Sequence, residues 1–347
     1  MLLFCVLAAA ASAQERPDDT RRADLRLDEA ARRDAGVLVA LVDAAMAGQA
    51  PSSFPLAWRN DFFKAQTGTF VPFTVTVDRG SLSGSSALMY VRAVRRGGPP
   101  AARDAQIRYP FDLVFPVELP GAPAGTLRIT RGFAVPPGDY DIYVALLERR
   151  ADPEAAGGRP RAAVLKQPLS VPDFWSGELA TSSVIVADRI DALGAPPAAD
   201  EVLERPYVIG DSEVHPAEDA AFTRDRELIV VFLIYNPTVT AGREFDIQVD
   251  YHLFRSEPEG TGEADPGGDH PPARAGERYV TRTNPQRFKP AVMGPQFDPG
   301  AGQPMLAGQG ILLSSFGTGE YRLGITVTDL LSRRTLSRDV MFRVVGS

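Results

Sequence analysis

Cysteine is almost missing from this chain. Cys5 is the only one in 347 residues, and it lies inside the N-terminal run MLLFCVLAAAASAQ. Past that run there is no disulfide to form, no thiolate to hold a metal and no cysteine nucleophile. Histidine is nearly as scarce. His215, His252 and His270 are the only three, and none makes a spaced pair with another on one helix or hairpin, as a zinc site requires. Lysine occurs only at positions 64, 166 and 289, so the other basic residues are all arginine. Basic residues are not in excess either. The net charge of −7 opposes nucleic acid as a partner and gives no electrostatic reason to bind an anionic membrane. No phosphate loop and no dinucleotide fingerprint occurs.

What the chain has is a normal globular share of apolar residues, 44%, enough to bury a sizeable core. Its length allows two or three domains. The opening apolar run ends in Ala11-Ser12-Ala13. It reads as a secretory signal over residues 1–13 with Gln14 as the first mature residue. The run is too short to span a bilayer, so no transmembrane span is expected in the mature chain. Cys5 follows Phe4, where a lipid-anchoring signal needs a small residue. The expected location is periplasmic or extracellular. A disulfide-free exported protein must be held by its core, which this length permits.

Residues 14–66 hold the one convincing helical region, Asp18 to Gly48. It is rich in Ala, Leu and charged pairs and closes at Gly48. Leu38, Leu41, Val42 and Ala45 recur at helical spacing, which marks a packing face or, on a sharper reading, a docking face. From Thr69 the period changes to two. Val71, Phe73, Val75 and Val77 alternate with polar residues or proline, the pattern of a half-buried strand. Further strands follow as ALMYVRAVRR, FDLVFPVEL, GTLRIT, DYDIYVALLE and AAVLKQPLSV. Short, regular spacing with Gly and Pro between strands predicts a β-sandwich over residues 67–172.

Residues 173–206 read as a linker with one strand. A second sandwich is expected over 207–347. There RELIVVFLIYNP is almost wholly apolar, as for a central strand covered on both faces. In REFDIQVDYHLFR, Phe245, Ile247, Val249, Tyr251 and Leu253 share one face. The segment 256–278 lacks any apolar period and is rich in Gly, Pro and acids, so a flexible insertion is expected.

One pattern occurs twice. PPGDYDIYVALLE around Gly138 and GTGEYRLGITVTDLL around Gly319 both run glycine, acid, tyrosine, then alternating apolar positions. In immunoglobulin-like sandwiches a tyrosine after such a turn bonds back to the backbone and pins the corner. Tyr140 and Tyr321 fit that role. Ile142 and Leu323 stand two residues on, where antibody domains carry a cysteine. The fold class is therefore mainly β, with two tandem immunoglobulin-like β-sandwich domains and one N-terminal helix.

Tests for chemistry yield no catalytic, cofactor or metal residue, and no binding residue is assigned. GSLSGSS, from Gly80, has Leu82 where a nucleophile elbow has serine. Glu263, Asp265 and Asp269 beside His270 lack the spacing of a calcium loop. Asp61, Asp78, Glu118, Asp141, Glu244, Asp250 and Asp329 lie at strand ends or on polar faces, and nothing ranks two of them as a glycosidase pair. Trp58 and Trp175 flank the first sandwich. Tryptophans there seal a sandwich end or an interdomain seam, or stack on sugars if exposed.

Three patterns carry a resemblance: Val184-Ile185-Val186-Ala187, Tyr235-Asn236 and Gly319-Glu320-Tyr321. Over roughly 182–345 the chain resembles the C-terminal β region of GWxTD-type secreted bacterial proteins, an envelope-associated group. The name-giving motif is absent; AWRND at 57–61 matches it only in part. NDFFKAQTGTFVPFTVTVD is similar to secreted proteins of Acidobacteria-like bacteria. Neither resemblance implies a reaction. These readings favour a non-enzymatic exported protein, a scaffold or binding module for a protein or glycan of the cell envelope. The alternative is a glycan-acting hydrolase whose carboxylates are unidentified.

Overall fold

The computed structural model describes residues 28–49, 52–97, 109–121, 125–149, 161–199, 201–257 and 270–346. The expected signal segment and the middle of the 256–278 insertion, with Glu263, Asp265 and Asp269, lie outside these residues. The described chain forms two compact units. One contains the described residues up to Asp173 together with Pro197–Pro206, and the other contains Phe174–Pro196 and the residues from Tyr207 onward. The stretch 173–206, expected as a linker, is thus divided between them. Its apolar residues decide the division. Gly132 N donates to Leu203 O at 2.8 Å, and Leu203 packs on the first core. Leu179 and Val186 pack in the second core.

The first unit runs α1 (Glu29–Met46), β1 (Ala57–Asn60), β2 (Phe63–Ala65), β3 (Gly68–Asp78), β4 (Ser86–Arg95), β5 (Phe111–Glu118), β6 (Thr126–Val135), β7 (Gly138–Arg149) and β8 (Ala162–Val171). One sheet has the order β1-β3-β2, with β6 also paired to β3, and the other has the order β5-β4-β7-β8. Their inward faces make one core. Val71, Phe73 and Val75 from β3 and Met89, Val91 and Ile142 from β4 and β7 are fully buried. This is the face that the period-two spacing picks out.

Helix α1 opens on Asp28, whose carboxylate accepts from Ala31 N at 2.6 Å, an N-cap that satisfies one of the orphan amides of the first turn. Leu38 and Val42 bury completely against Leu88, Tyr90, Tyr143, Ala145 and Leu147, the outer face of the β4–β7 sheet. Leu41 and Ala45 pack at the margin. The helical stripe is therefore a packing face. Arg92, 4% exposed, clamps the helix: its guanidinium donates to Asp43 at 2.6 Å and lies 4.1 Å from the Tyr109 ring centroid.

The second unit runs β9 (Ala180–Thr181), β10 (Ile185–Ala192), β11 (Val208–Ile209), β12 (Ser212–Pro216), β13 (Ala221–Thr223), β14 (Glu227–Tyr235), β15 (Ile247–Ser256), β16 (Glu277–Arg282), β17 (Gln286–Phe288), the short α2 (Pro290–Met293), β18 (Met305–Leu312), β19 (Gly319–Asp329) and β20 (Arg334–Val345). One sheet is ordered β11-β12-β10-β14-β18, with β9 on β14. The other is β13-β20-β19-β15-β16, with β17 on β15. The nearly all-apolar β14 is central in its sheet, as its composition requires. Phe245, Ile247, Val249, Tyr251 and Leu253 are all buried in the second core.

The duplicated pattern is a duplicated corner. Tyr140 Oη donates to Pro136 O and Tyr321 Oη to Gly317 O, each at 2.8 Å. Gly138 and Gly319 take φ of 143° and 149°, values that L-residues rarely adopt. Each tyrosine lies opposite an arginine on the neighbouring strand, Arg95 on β4 and Arg255 on β15. These arginines donate to Pro137 O at 3.4 Å and Thr318 O at 2.9 Å. Ile142 and Leu323 are fully buried. Both units are β-sandwiches with the immunoglobulin-like corner.

Candidate binding groove

The paired corners give a common frame for the two sandwiches. Counting back from Arg95 and Arg255, Leu88 corresponds to Gln248, Tyr90 to Asp250 and Arg92 to His252. Counting on from the tyrosines, Tyr143 corresponds to Gly324, Ala145 to Thr326 and Leu147 to Thr328. In the first sandwich these outward positions are apolar apart from Arg92, and α1 seals them. In the second they are polar or glycine, and most stay half-exposed.

A groove of about 640 Å³ lies on this second face. Its floor is Gln248, Asp250 and His252, which alternate outward along β15 because inward positions 247, 249, 251 and 253 fill the core. One wall is Arg282, Thr283, Asn284 and Pro285, the break between β16 and β17. There the edge strand leaves the ladder and rejoins it at Gln286, with Thr283 N held by Tyr251 O at 3.2 Å. His270 and Pro271 add a second wall. The Gln248 amide donates to both oxygens of Asp250 at 3.0–3.1 Å. The His270 ring stacks on Tyr279 with centroids 3.7 Å apart and planes 1° apart. His252, outward by parity, is nonetheless only 6% exposed.

A buried ionic cluster occupies the next stretch of the same sheet. Arg322, 5% exposed, donates to Glu277 at 2.6 and 2.8 Å and to Asp339 at 3.0 Å, and its guanidinium lies 4.1 Å from the Phe254 ring centroid. Hydrogen bonds from Arg322 hold the Glu277 carboxyl below its ordinary range. Burial pushes Asp339 up, but hydrogen bonds from Arg274 and Arg322 outweigh it and leave the group depressed. Glu277 and Arg278 lie in β16, so strand pairing reaches inside the 256–278 span that composition marks as an insertion. Alternating polar residues there had no apolar partner in sequence to show a strand.

The other residues singled out in sequence take separate partners. Asp78 caps Gly80 N, Asp141 pairs with Lys166 at 2.9 Å, and Glu118 lines a groove on the first unit with Arg128 and Arg131. Asp61 N donates to Pro72 O, and Glu244 N donates to Thr240 Oγ1 at 3.1 Å while Glu244 O accepts from Thr240 N at 3.0 Å. Asp329 is buried, and its carboxylate receives Thr238 N, Leu331 N and Ser332 N at 2.7–3.1 Å. His215 pairs with Asp191 at 2.8 Å on β12. The GSLSGSS stretch is a turn knit by Arg79, which donates to three carbonyls, and by Glu148, which receives Ser83 N and Gly84 N. Trp58 stacks on Phe73 at 4.5 Å and packs on the core, whereas Trp175 is 50% exposed.

Of all these, the structure brings together Asp250, His252 and His270. Sequence reading missed Gln248, Arg282, Thr283 and Asn284. The available signal was the polar outward parity of β15 set against the apolar parity of β4. No group of three or more His, Cys, Asp or Glu able to hold a metal occurs among the described residues. No helix among them is long and apolar enough to cross a membrane, which says nothing of a β-barrel.

No family model matches this chain, and no curated protein does. Among solved structures it is similar to Escherichia coli alpha-2-macroglobulin activated by porcine elastase, at 12% identity over 86% of this chain and 24% of that one, with a TM-score of 0.23. It is similar to Salmonella alpha-2-macroglobulin reacted with methylamine at 12% identity, over 85% of this chain and 17% of that one, with a TM-score of 0.21. Red sea bream transglutaminase matches at 14% identity over 88% of this chain and 33% of that one, with a TM-score of 0.21. This chain spans a third or less of each. Likeness at that level assigns neither a fold nor an activity.

Proposed function

We propose that this chain is a non-enzymatic binding or scaffold module, exported to the bacterial cell envelope, whose second sandwich presents the groove to a protein or glycan. One observation carries the reading: equivalent stations are sealed by a helix in the first sandwich and are polar or glycine and mostly half-exposed in the second. A sandwich face that needs no cover is free to meet a partner. Residues 1–13 support export through their apolar run and Ala-Ser-Ala end, in keeping with the resemblance to secreted GWxTD-type proteins.

The binding test uses the full chain immobilised and exposed to envelope extract, beside the double variant Asp250→Ala/Asn284→Ala. Retention of an envelope component, lost in the variant at unchanged thermal stability, is the expected result. Retention that survives the variant would place the binding surface elsewhere. Release of new reducing ends from envelope glycan by the wild-type chain would make it a hydrolase instead. For export, the envelope-associated protein should begin at or near Gln14; an intact chain found only in the cytosol refutes it.

A further inference from the structure

We infer that the groove of the second sandwich is a site for a neutral, polyhydroxylated ligand, a saccharide. This rests on the groove being the binding face, and it names the chemistry of what binds there.

The mixed polar lining points to one class. Apolar ligands need apolar walls, and this groove offers no aliphatic side chain beyond two prolines. A small anion such as phosphate would meet the Asp250 carboxylate on the floor. A cation would meet Arg282 on the wall. A ligand whose groups both donate and accept without carrying net charge meets neither repulsion. Asn284 offers a carbonyl and an NH2, Gln248 offers its carbonyl while its NH2 is held by Asp250, Asp250 only accepts, and Arg282 only donates. Vicinal hydroxyls satisfy such a mixed set, because each hydroxyl gives one hydrogen and takes another.

The site is also held in place. The paired Gln248 and Asp250 side chains fix each other through two hydrogen bonds. Pro271 and Pro285 stiffen the two walls. Stacking on Tyr279 fixes the His270 ring plane at the groove margin. Side chains ordered before binding lose less freedom on binding. In the first sandwich the Leu88 and Tyr90 stations are instead packed under α1, so the same fold there leaves no such site.

Calorimetric titration of the full chain tests this with three probes: a neutral oligosaccharide series (maltohexaose, cellohexaose, chitohexaose), inorganic phosphate, and an apolar dye. At least one oligosaccharide should bind, and Asp250→Ala and Asn284→Ala should each weaken it at least ten-fold. Asn284 lies outside the strands, so its variant keeps the test valid if Asp250→Ala fails to fold. Phosphate or dye binding with no saccharide binding overturns the inference. So does saccharide binding that survives both variants, or that is lost instead in Trp175→Ala. If no oligosaccharide binds while the double variant still loses its envelope component, the ligand class is wrong and the binding face stands. If neither experiment shows dependence on these residues, both fail.

Discussion

Tyr321 donates its phenolic hydrogen to Gly317 O at 2.8 Å from a position that is 2% exposed. Tyr140 does the same to Pro136 O in the other sandwich. Removing the hydroxyl leaves the ring in place and takes away its one bond to the carbonyl of the turn. Tyr321→Phe and Tyr140→Phe should each lower the stability of their own sandwich by about 1 kcal/mol. Urea unfolding followed domain by domain would show it; no change in either midpoint would reduce the corner to a packing contact.

Gly319→Ala should cost more than Tyr321→Phe. The backbone there has φ 149°, and a Cβ would meet Arg255 Nε at 3.2 Å. Strain of this kind costs on the order of 1–3 kcal/mol, and the displaced arginine would also lose Thr318 O. Pairing the variant with Arg255→Ala should recover the steric part, which a double-mutant cycle measures.

Acid should weaken the second sandwich through Glu277 and Asp339. Both carboxyls are depressed in the folded state from ordinary values of 4.5 and 3.8. A depressed carboxyl contributes stability above its unfolded value and loses it as pH falls through the folded one. The contribution should thus be complete near neutrality and fade below about pH 4.5. Arg322→Met removes the donor to both, so its unfolding free energy should depend less on pH between about 5 and 3 than that of the parent. Parallel slopes for parent and variant would show that other carboxylates govern the acid limb.

Replacing 258–269 with a short Gly-Ser turn should leave the melting point within about 5 °C of the parent. The hairpin is closed on the strand side of that segment: Ser256 pairs with Glu277, Glu257 N donates to Gly276 O at 2.8 Å, and Arg278 meets Glu257 at 2.7 Å. Closure entropy changes slowly with loop length. A larger fall, read by calorimetry, would mean that the replaced residues contribute to the core.

The sequence by itself determined the sheets' inner faces. Period two places Val71, Phe73, Val75 and Val77, and later Ile247, Val249, Tyr251 and Leu253, on faces that must leave water, and all eight are buried. It also determined the paired corners, since Gly-acid-Tyr before a strand is a local signal. Tertiary structure alone decided the groove. Gln248, Asp250 and His252 are one outward row of a strand, but their wall comes from 270–271 and 282–285, and it stands there because the edge strand breaks at Thr283 and re-pairs at Gln286. Strand β18 was hidden for a related reason: Gly308 and Gly310 remove the side chains that would show a period, and the strand exists because eight residues of β14 pair with it. Burial is written locally, in which residues alternate. A site is assembled by pairing between distant segments, and no local pattern of side chains encodes that.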